Sequence, residues 1–383
     1  MNKSILPILI LAFSWFHLSS QGDDFLIAKL KKHGEPVKTV CFSPDSKRLL
    51  SGGEDKIVYL WETEGFEVMA EFSDNYRLIQ SCGFTKHGNN IIYSDGNAIK
   101  VITTEFHEPA ITITAKSTDI WSFDLNTNNR KIVTGSYGKD IKVHSLTTGE
   151  EIMELEGHTK SALAVSYSPD SKWIASGSLD KSIIIWDADS GKQVKQFTGH
   201  GGNIYDIDFV PGKEGYLLSA SLDKTLRLWA VHADKSVKTY IGHDEGIVSI
   251  DITRDGLHMV SGSYDESIKI WEIATGNTVF TFDAGAPVNS VSVSPDRTML
   301  AAALQNDEIK VWSLDPYMFI EERFGNEIKI ILSESELFRD KEKDESREEY
   351  KEREAKAESF KKDLYNRFYQ KYLEILQTIE FPS

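Results

Sequence analysis

An all-β fold of seven repeats, followed by a helical C-terminal segment, is predicted by three features of the sequence. Large residues, mostly tryptophan, recur at a fixed interval, short apolar runs fill each interval, and the last 50 residues are strongly charged. The interval of 41 to 43 residues is set by Trp61, Ile102, His144, Trp186, Trp229, Trp271 and Trp312. A period of about 40 to 45 residues with four short strands in each repeat is typical of a β-propeller.

The fourth repeat shows the four expected strands most clearly. Its apolar and β-branched runs are bounded by Gly, Pro, Asp and Ser, which favour turns. These runs predict strands over residues 162–167, 173–178, 183–187 and 193–198. The same pattern in the other repeats predicts one four-stranded sheet for each repeat.

A Gly-His pair opens several repeats. His158, His200 and His243 each follow a glycine, His33 follows a lysine, and a tryptophan lies 28 or 29 residues after each of these histidines. Apolar residues four, seven and nine positions after the histidine identify the copies that lack it. These motifs resemble the WD40 repeat family, and the resemblance covers about three quarters of the chain. It implies a seven-bladed β-propeller.

The N-terminal segment 25–30 resembles the outer strand of a repeat, because it precedes His33 as residues 193–198 precede His200. An open row of sheets would leave unpaired edges at its two ends. The WD40 resemblance implies that such a strand completes the last blade, so we expect 25–30 to pair with 309–312. The predicted fold is therefore an all-β, seven-bladed propeller closed by an N-terminal strand, with a C-terminal α-helical extension.

Four repeats place a His, a Ser, an Asp and a Trp in register. Ser, His and Asp are the residue types of a nucleophilic triad, but a set that recurs four times is typical of a scaffold. The WD40 resemblance implies that Asp bonds the imidazole, the imidazole bonds Ser, and Ser bonds the indole. We expect a structural network and no catalytic residue. Its members are His33, Ser51, Asp55, Trp61, His158, Ser176, Asp180, Trp186, His200, Ser219, Asp223, Trp229, His243, Ser261, Asp265 and Trp271.

The other repeats depart from this set. Repeat 7 has Ala302 and Asn306 in the Ser and Asp places, and repeat 3 has Gly138 and His144 in the Asp and Trp places. Repeat 2 keeps almost nothing of the set. It is predicted either to be the least stable repeat or to be specialised for contact with a partner.

The WD40 resemblance implies that partners bind the face that carries the Gly-His pairs and the Asp turns. The residues before the turn Asp, or five positions after the histidine, include several aromatic and apolar ones. Aromatic residues gathered near one centre are typical of binding surfaces. We expect partner binding by Trp121, Tyr137, Leu179, Tyr205, Leu222 and Tyr264, with Leu163 on the same face. The alternative is that some of these side chains pack between repeats.

The first 20 residues are typical of a secretory signal peptide. Lys3 precedes a short apolar run over 5–16, and small polar residues follow it. The run is too short to span a bilayer, for which about 20 residues are needed. We expect cleavage near Ser20, no membrane span afterwards, and an exported protein that is periplasmic, cell-surface or secreted. An uncleaved anchor is the alternative.

Charge and cysteine content narrow the function further. The formal net charge of −16 becomes −17 when Lys3 is removed with the leader, so nucleic-acid phosphates would be repelled. We expect no nucleic-acid binding. Cys41 and Cys82 lie in the first strands of adjacent repeats, where they are either bridged, as in many exported proteins, or simply buried.

A charged tail follows the repeats. Between Glu334 and Asp363, 21 of 30 residues are charged, which predicts a long solvated helix with pairs such as Glu349–Arg353 and Glu352–Lys356. An apolar stripe follows at Phe360, Leu364, Phe368, Tyr372, Ile375 or Leu376, and Ile379. The stripe either packs on the propeller or occupies a partner groove or a self-associating coil. We favour the first, since regular heptads are few.

The predicted domains are a signal peptide at 1–20, a propeller at 21–318 and a charged helical tail at 319–383. The leading hypothesis is a non-catalytic protein–protein interaction scaffold of the cell envelope or secreted space, which binds other proteins through the propeller face and the C-terminal helix. We expect this protein to have no enzymatic activity and to bind no cofactor. A structural role in a larger envelope assembly is equally compatible with the sequence.

The alternative function is a channel-centred hydrolase or metal-dependent enzyme on the propeller scaffold. It would use the first-strand carboxylates Asp124, Asp206, Asp208 and Asp251. Carboxylate oxygens suit hard cations, but no His or Cys completes a metal signature here. We therefore predict no metal site.

Overall fold

The structure is a computed structural model of the chain and describes residues 25–105, 109–114, 119–339, 341–342 and 345–381. The predicted signal peptide at 1–20 lies outside the described residues. The described part is mostly β. Its strands are Leu26–Leu30 (β1), Val37–Phe42 (β2), Arg48–Gly53 (β3), Val58–Glu62 (β4), Val68–Phe72 (β5), Cys82–Phe84 (β6), Asn90–Asp95 (β7), Ala98–Thr103 (β8), Pro109–Thr114 (β9), Ile120–Leu125 (β10), Lys131–Ser136 (β11), Ile141–Ser145 (β12), Glu151–Leu155 (β13), Ala162–Tyr167 (β14), Trp173–Ser178 (β15), Ile183–Asp187 (β16), Gln193–Phe197 (β17), Ile204–Phe209 (β18), Tyr216–Ser221 (β19), Thr225–Ala230 (β20), Ser236–Ile241 (β21), Ile247–Ile252 (β22), His258–Ser263 (β23), Ser267–Glu272 (β24), Thr278–Asp283 (β25), Val288–Val293 (β26), Met299–Leu304 (β27) and Ile309–Ser313 (β28).

The strands pair antiparallel within each repeat. Four-stranded sheets form in the orders β2-β3-β4-β5, β6-β7-β8-β9, β18-β19-β20-β21 and β22-β23-β24-β25. Strands β10–β13 and β14–β17 form two further groups of four, joined into one sheet by the single pair Ser136–Ala162. The strand limits predicted for the fourth repeat agree with β14–β17 to within one residue.

The last sheet combines both ends of the repeat region. Its order is β1-β28-β27-β26, so the N-terminal strand completes the group of four. Leu26 lies opposite Trp312 and Leu30 opposite Ile309. The pairing of 25–30 with 309–312, expected from the sequence, is therefore present.

Large apolar side chains fill the space between neighbouring sheets. Trp229 of the fifth repeat, for example, is buried in one cluster with Ala164 and Ile185 of the fourth. Burial of a large apolar side chain stabilises the fold by about 2 to 3 kcal/mol. Close approach of the sheets also requires glycine at Gly177, where an added Cβ would lie 2.5 Å from Cγ2 of Ile204.

Two helices follow the last strand. Helix α1 covers Pro316–Glu334 and begins at Asp315, whose carboxylate accepts a hydrogen bond from the backbone N–H of Tyr317. Helix α2 covers Arg347–Thr378 and begins with a capping box formed by Ser346 and Glu349. Among the described residues, no helix is long and apolar enough to span a membrane.

The charged region is not one continuous helix. Helix α1 ends at Glu334, a short 3₁₀ turn follows at Glu336–Phe338, and α2 begins at Arg347. The expected pair Glu352–Lys356 is present at 2.8 Å, but Arg353 bonds Glu345 and the carbonyl oxygen of Leu337 instead of Glu349. These bonds hold the connecting segment against α2.

The apolar stripe of α2 packs against the rest of the chain. Phe368 lies 5.2 Å from Phe324 of α1 between ring centroids, and the stripe shares a buried cluster with the sixth and seventh repeats. Phe381, beyond the helix, lies 5.1 Å from Tyr216 of the fifth repeat. The favoured interpretation, packing on the chain's own repeats, is what the structure shows. The C-terminal segment thus contacts three consecutive repeats.

A buried polar contact joins α2 to the sixth repeat. The hydroxyl of Tyr372 donates to Glu272 Oε1 at 2.7 Å and lies 3.0 Å from His258 Nε2. Because that hydroxyl proton is used by Glu272, His258 must donate from Nε2, which leaves Nδ1 as an acceptor. His258 Nδ1 is buried without a hydrogen-bond partner among the described residues. Burial lowers the pKa of His258 to about 4.

Helix docking is therefore expected to weaken in acid. The pKa of His258 falls from 6.5 to about 4 on folding, so between these pH values the unfolded state binds a proton that the folded state does not. The free energy of unfolding should fall over this range, by up to about 3 kcal/mol at 1.36 kcal/mol per pKa unit. In His258→Gln the amide still donates to Tyr372 but does not titrate.

Urea unfolding, followed by helical circular dichroism at pH 7, 5.5 and 4.5, measures the effect. Wild type should lose about 2 to 3 kcal/mol more than His258→Gln between the extremes. Parallel stability profiles for the two proteins would contradict the assignment.

Candidate interaction surface

The four predicted polar sets form hydrogen-bonded chains. In the fifth repeat, His200 Nδ1 lies 2.8 Å from Asp223, His200 Nε2 lies 2.7 Å from Ser219 Oγ, and the indole N–H of Trp229 donates to the same Oγ at 2.8 Å. Equivalent bonds of 2.8 to 3.1 Å occur in the first, fourth and sixth repeats. Each Asp also accepts from the backbone N–H that follows the histidine. These hydrogen bonds thus hold the Gly-His loop against the Asp turn.

The serine hydroxyls of these chains are closed to substrate. Ser51, Ser176, Ser219 and Ser261 are all fully buried. A nucleophile must reach the atom it attacks, so burial conflicts with a catalytic role even though the Asp–His–Ser order is that of a triad. Burial by itself raises the pKa of Asp180, but bonds from Ser182 and Thr159 outweigh it and lower the pKa to about 2.

The second repeat replaces this chain with another. Asp95 accepts from the backbone N–H groups of Tyr76 and Arg77 at 2.9 and 2.8 Å and pairs with Lys100 at 3.0 Å. Ser94 accepts from two further backbone N–H groups. This repeat therefore holds its loop without a histidine. In the third repeat, His144 stands in the tryptophan position and its Nδ1 is buried without a partner among the described residues.

Polar side chains on the first strands link neighbouring repeats. Asp206 accepts from the backbone N–H of Ile250 in the next repeat at 2.8 Å, and Asp251 accepts from Val293 at 2.7 Å. Asp124 accepts in the same way from Tyr167 at 2.7 Å. Ser249 and Thr39 make equivalent links to Val291 and Cys82. The acceptors stand six or eight positions after the histidine place of one repeat, and the donors seven or nine after that of the next.

Asp208 is the exception among these carboxylates. Its Oδ1 accepts from the hydroxyl of Ser166 in the preceding repeat at 3.0 Å. Burial raises the pKa of Asp208 well above its usual value. Burial also raises the pKa of Asp124 and Asp251 to about 6 and that of Asp206 to about 7. No group of three or more His, Cys, Asp or Glu side chains in the described residues is placed to hold a metal ion.

The two cysteines are free thiols. Cys82 Sγ lies 3.4 Å from the Thr39 hydroxyl, and burial raises the pKa of Cys82 to about 12. The disulfide considered from the sequence is absent, and both thiols are half-buried where the alternative expected them to be buried.

The aromatic residues expected to bind partners lie close together. Trp121 packs edge-on against Tyr137 at 4.9 Å and against Tyr205 at 6.0 Å between ring centroids. Trp121, Tyr205 and Tyr264 line one cavity of about 160 Å³. Tyr137 is 52% exposed and Tyr264 38% exposed. We call Trp121, Tyr137, Tyr205 and Tyr264 the aromatic patch.

The apolar residues expected at the same face are less accessible. Leu179 and Leu222 are half-buried, and Leu222 covers Gly246 of the sixth repeat, where an added Cβ would lie 2.4 Å from Cδ2 of Leu222. Leu163 is only 1% exposed and offers no binding surface. Its burial agrees with the alternative interpretation that some of these side chains are packed inside the repeats.

Family comparison agrees with the repeat pattern. The WD40 model, described as "WD domain, G-beta repeat", matches residues 25–62, 107–145, 149–187, 191–230, 234–272 and 276–313. These segments cover more than half of the chain. The chain is a member of the WD40 repeat family. The unmatched stretch 63–106 contains most of the second repeat, whose chain of polar residues differs from the others.

Several WD40 relatives share part of the sequence. The chain is 34% identical over 71 residues to the small ribosomal subunit protein RACK1z of Oryza sativa subsp. japonica, which is 18% of this chain and 21% of that protein. It is 26% identical over 152 residues to protein FIZZY-RELATED 2 of Arabidopsis thaliana, 38% of this chain and 31% of that protein. It is 26% identical over 138 residues to transcription initiation factor TFIID subunit 5 of Caenorhabditis elegans, 36% of this chain and 21% of that protein. The matched regions thus span about a fifth to a third of these relatives.

The predicted location is wrong. An exported protein, whether periplasmic, cell-surface or secreted, was expected from the apolar N-terminal run. The relatives include a small ribosomal subunit protein and a subunit of a transcription initiation factor, which are components of intracellular assemblies. A short apolar run after a lysine is weak evidence for a signal peptide. The same charge and hydrophobicity occur in N-terminal segments that no secretion machinery binds.

Loss of a network serine is expected to destabilise the fold. Ser219→Ala leaves His200 Nε2 and the indole N–H of Trp229 buried without partners, at about 1 to 3 kcal/mol each. We expect a loss of about 2 to 4 kcal/mol in urea unfolding. The control Ser73→Ala changes an exposed serine and should stay within about 0.5 kcal/mol. Equal stability of the two variants would show that the hydrogen bonds of Ser219 do not stabilise the fold.

Removing the charge of Asp208 is expected to stabilise the protein at high pH. Burial raises its pKa in the folded state, so ionisation favours unfolding, and this penalty grows as the pH rises above about 4. Asp208→Asn keeps an oxygen for Ser166. It should unfold at higher temperature than wild type at pH 8, and the difference should vanish near pH 4.

Asp187→Asn is the matched control, because hydrogen bonds from Ser190 lower the pKa of Asp187. It should give no gain in thermal midpoint at pH 8. A lower midpoint for Asp208→Asn than for wild type at pH 8 would contradict the argument.

Proposed function

We propose that the repeats form a closed, seven-bladed propeller. Support comes from the link between the last repeat and the first. The backbone N–H groups of Val40 and Phe42 donate to the hydroxyls of Ser290 and Ser292 at 3.4 and 3.3 Å, and the amide of Asn289 donates to the carbonyl oxygen of Val37 at 2.8 Å. The two links to Ser290 and Ser292 have the same spacing as those between consecutive repeats.

The 160 Å³ cavity supports the same proposal. It is lined mostly by residues in or directly before the first strands of the first, second, third, fifth, sixth and seventh repeats, such as Thr39, Ser122, Asp206 and Ser290. First strands so far apart in sequence meet around one space if the repeats are arranged about an axis. The division into a propeller at 21–318 and a tail at 319–383 remains a prediction. It is supported by the end of β28 at Ser313 and the start of α1 at Pro316.

We propose that the protein is a non-catalytic scaffold that binds other proteins. WD40 domains generally act as protein-interaction scaffolds, and the aromatic patch is the observation that carries the proposal here. It presents two partly exposed tyrosines beside a cavity, supported by the edge-on Trp121. Aromatic side chains with a hydroxyl offer apolar area and a hydrogen bond at little conformational cost.

We propose that partners bind the aromatic patch and that the C-terminal helix is not part of the binding surface. The apolar stripe of α2 is covered by α1 and the sheets, so it offers no free face for a partner groove. A channel-centred enzyme has weaker support, since Asp124, Asp206 and Asp251 are used as backbone acceptors between repeats.

Loss of the exposed tyrosines is expected to abolish partner binding. Tyr137→Ser combined with Tyr264→Ser removes the two most exposed aromatic side chains of the patch but leaves Trp121 and Tyr205. We expect partners crosslinked to wild type in its native cells to be reduced at least tenfold, the effect of about 1.4 kcal/mol.

Tyr76→Ser is the matched control, since Tyr76 is 83% exposed and lies in the second repeat outside the patch. Its crosslinked partners should match those of wild type, with unchanged thermal stability in all three proteins. Equal recovery of partners by wild type and the double variant would refute the patch as the binding surface.

A further inference from the structure

A second cavity, of about 270 Å³, lies between the C-terminal helices and the sixth repeat. Glu272 and Val279 line it from the sheet, Met318, Phe319 and Arg323 from α1, and Tyr372 from α2. It is therefore built from both parts of the chain. Its volume is slightly below the about 300 Å³ at which ligand pockets usually begin, so it has room for one small molecule at most.

The inner wall of this cavity carries a buried negative charge. Glu272 is only 7% exposed, and its carboxylate accepts hydrogen bonds from the hydroxyls of Tyr372 and Thr275. No Lys or Arg of the described residues forms an ion pair with it. A buried carboxylate without a cation is costly, because hydroxyl donors replace only part of its lost hydration.

The rim of the cavity carries a positive charge. Arg323 is exposed, and its guanidinium forms no ion pair or hydrogen bond with the residues that the structure describes. A guanidinium favours a carboxylate, which it binds through two parallel hydrogen bonds. An apolar wall of Val279, Met318 and Phe319 completes the lining of this cavity.

We propose that this cavity binds a small zwitterion, an α-amino acid with an apolar side chain. Its ammonium group would pair with Glu272, its carboxylate with Arg323, and its side chain would pack on Val279, Met318 and Phe319. A ligand with a single charge would leave either Glu272 or Arg323 without a partner. The bound molecule touches the sixth repeat and both helices, so it stabilises their docking.

The test is calorimetric titration of the full chain with L-leucine, N-acetyl-leucine and leucinamide. The two derivatives lack the ammonium group and the carboxylate, and they represent the last and the first residue of a peptide. We expect saturable binding of leucine and at least tenfold weaker binding of both derivatives. Leucine should also raise the thermal unfolding midpoint.

Variants separate the two charged contacts. Arg323→Gln and Glu272→Gln should each weaken leucine binding at least tenfold, and Arg367→Gln, which changes an exposed arginine of α2 outside the cavity, should not. Glu272→Gln also alters the contact with Tyr372, so Arg323→Gln is decisive. Absence of leucine binding, equal binding of either derivative, or unchanged binding by Arg323→Gln would overturn the proposal.

Discussion

The structure depends on one constraint of the first strand in each repeat. That strand pairs with the second strand on one side, and apart from the single Ser136–Ala162 pair its other edge has no strand partner, so the N–H groups there would be unsatisfied and buried. Side chains of the preceding repeat solve this problem. Hydroxyls and carboxylates such as Ser249 and Asp251 accept these N–H groups, which joins sheets that share no strand pairing. Polar residues thus provide directional contacts where the apolar layers provide most of the stabilisation.

This constraint explains why buried carboxylates persist in the first strands. Burial raises the pKa of Asp206 to about 7, so the group is held near the boundary between its charged and neutral forms. The N–H bonds that it accepts favour the charged form and offset part of the desolvation. At Ser290 an uncharged hydroxyl accepts the backbone N–H of the neighbouring repeat instead. Carboxylates with raised pKa values also occur in active sites. Here the hydrogen bonds to the next repeat explain why Asp124, Asp206 and Asp251 are buried, and no substrate is needed to explain it.

The two exposed tyrosines of the aromatic patch lie on turns directly after β11 and β23, whereas Trp121 and Tyr205 lie in the first strands β10 and β18. His200 and Asp223 join two loops of one repeat, while Asp95 does the same work in the second repeat with backbone donors. The loops therefore keep their positions although their sequences differ. Rigid support lowers the entropy lost when a partner binds, which favours Tyr137 and Tyr264 as contact residues.

Much of the fold was predictable from the sequence, because a repeated pattern averages out local ambiguity. The strands of the fourth repeat follow from apolar runs bounded by turn residues, and the pairing of 25–30 with 309–312 follows from the WD40 resemblance. The end of α1 at Glu334 and the new start at Arg347 were missed, since the charged residues between them have helical propensity, while contacts such as those of Arg353 with Leu337 and Glu345 form only in the folded chain. The repeat pattern also did not predict which way a side chain points. Leu163 was therefore expected on the partner-binding face, although it is buried.

The site was predictable only in part. Trp121, Tyr137 and Tyr205 were identified from their register, but their ring contacts depend on the arrangement of separate repeats. The acceptor role of the Asp residues was missed. A signal was present, since polar residues recur six and eight positions after the histidine place, between the apolar ones. The cavity beside Glu272 had no signal, because its lining comes from segments about 100 residues apart.

The C-terminal helices and the aromatic patch lie at opposite ends of the strands. In β23, His258 at the first position contacts α2, while Tyr264 directly follows the last position at Ser263. Six steps along extended chain lead from one to the other, about 20 Å at 3.3 Å per residue. A partner on the patch therefore leaves the helices in place. Shortening α2 would expose apolar surface on the fifth to seventh repeats and lower stability, so its effect on binding has to be compared at matched fractions of folded protein.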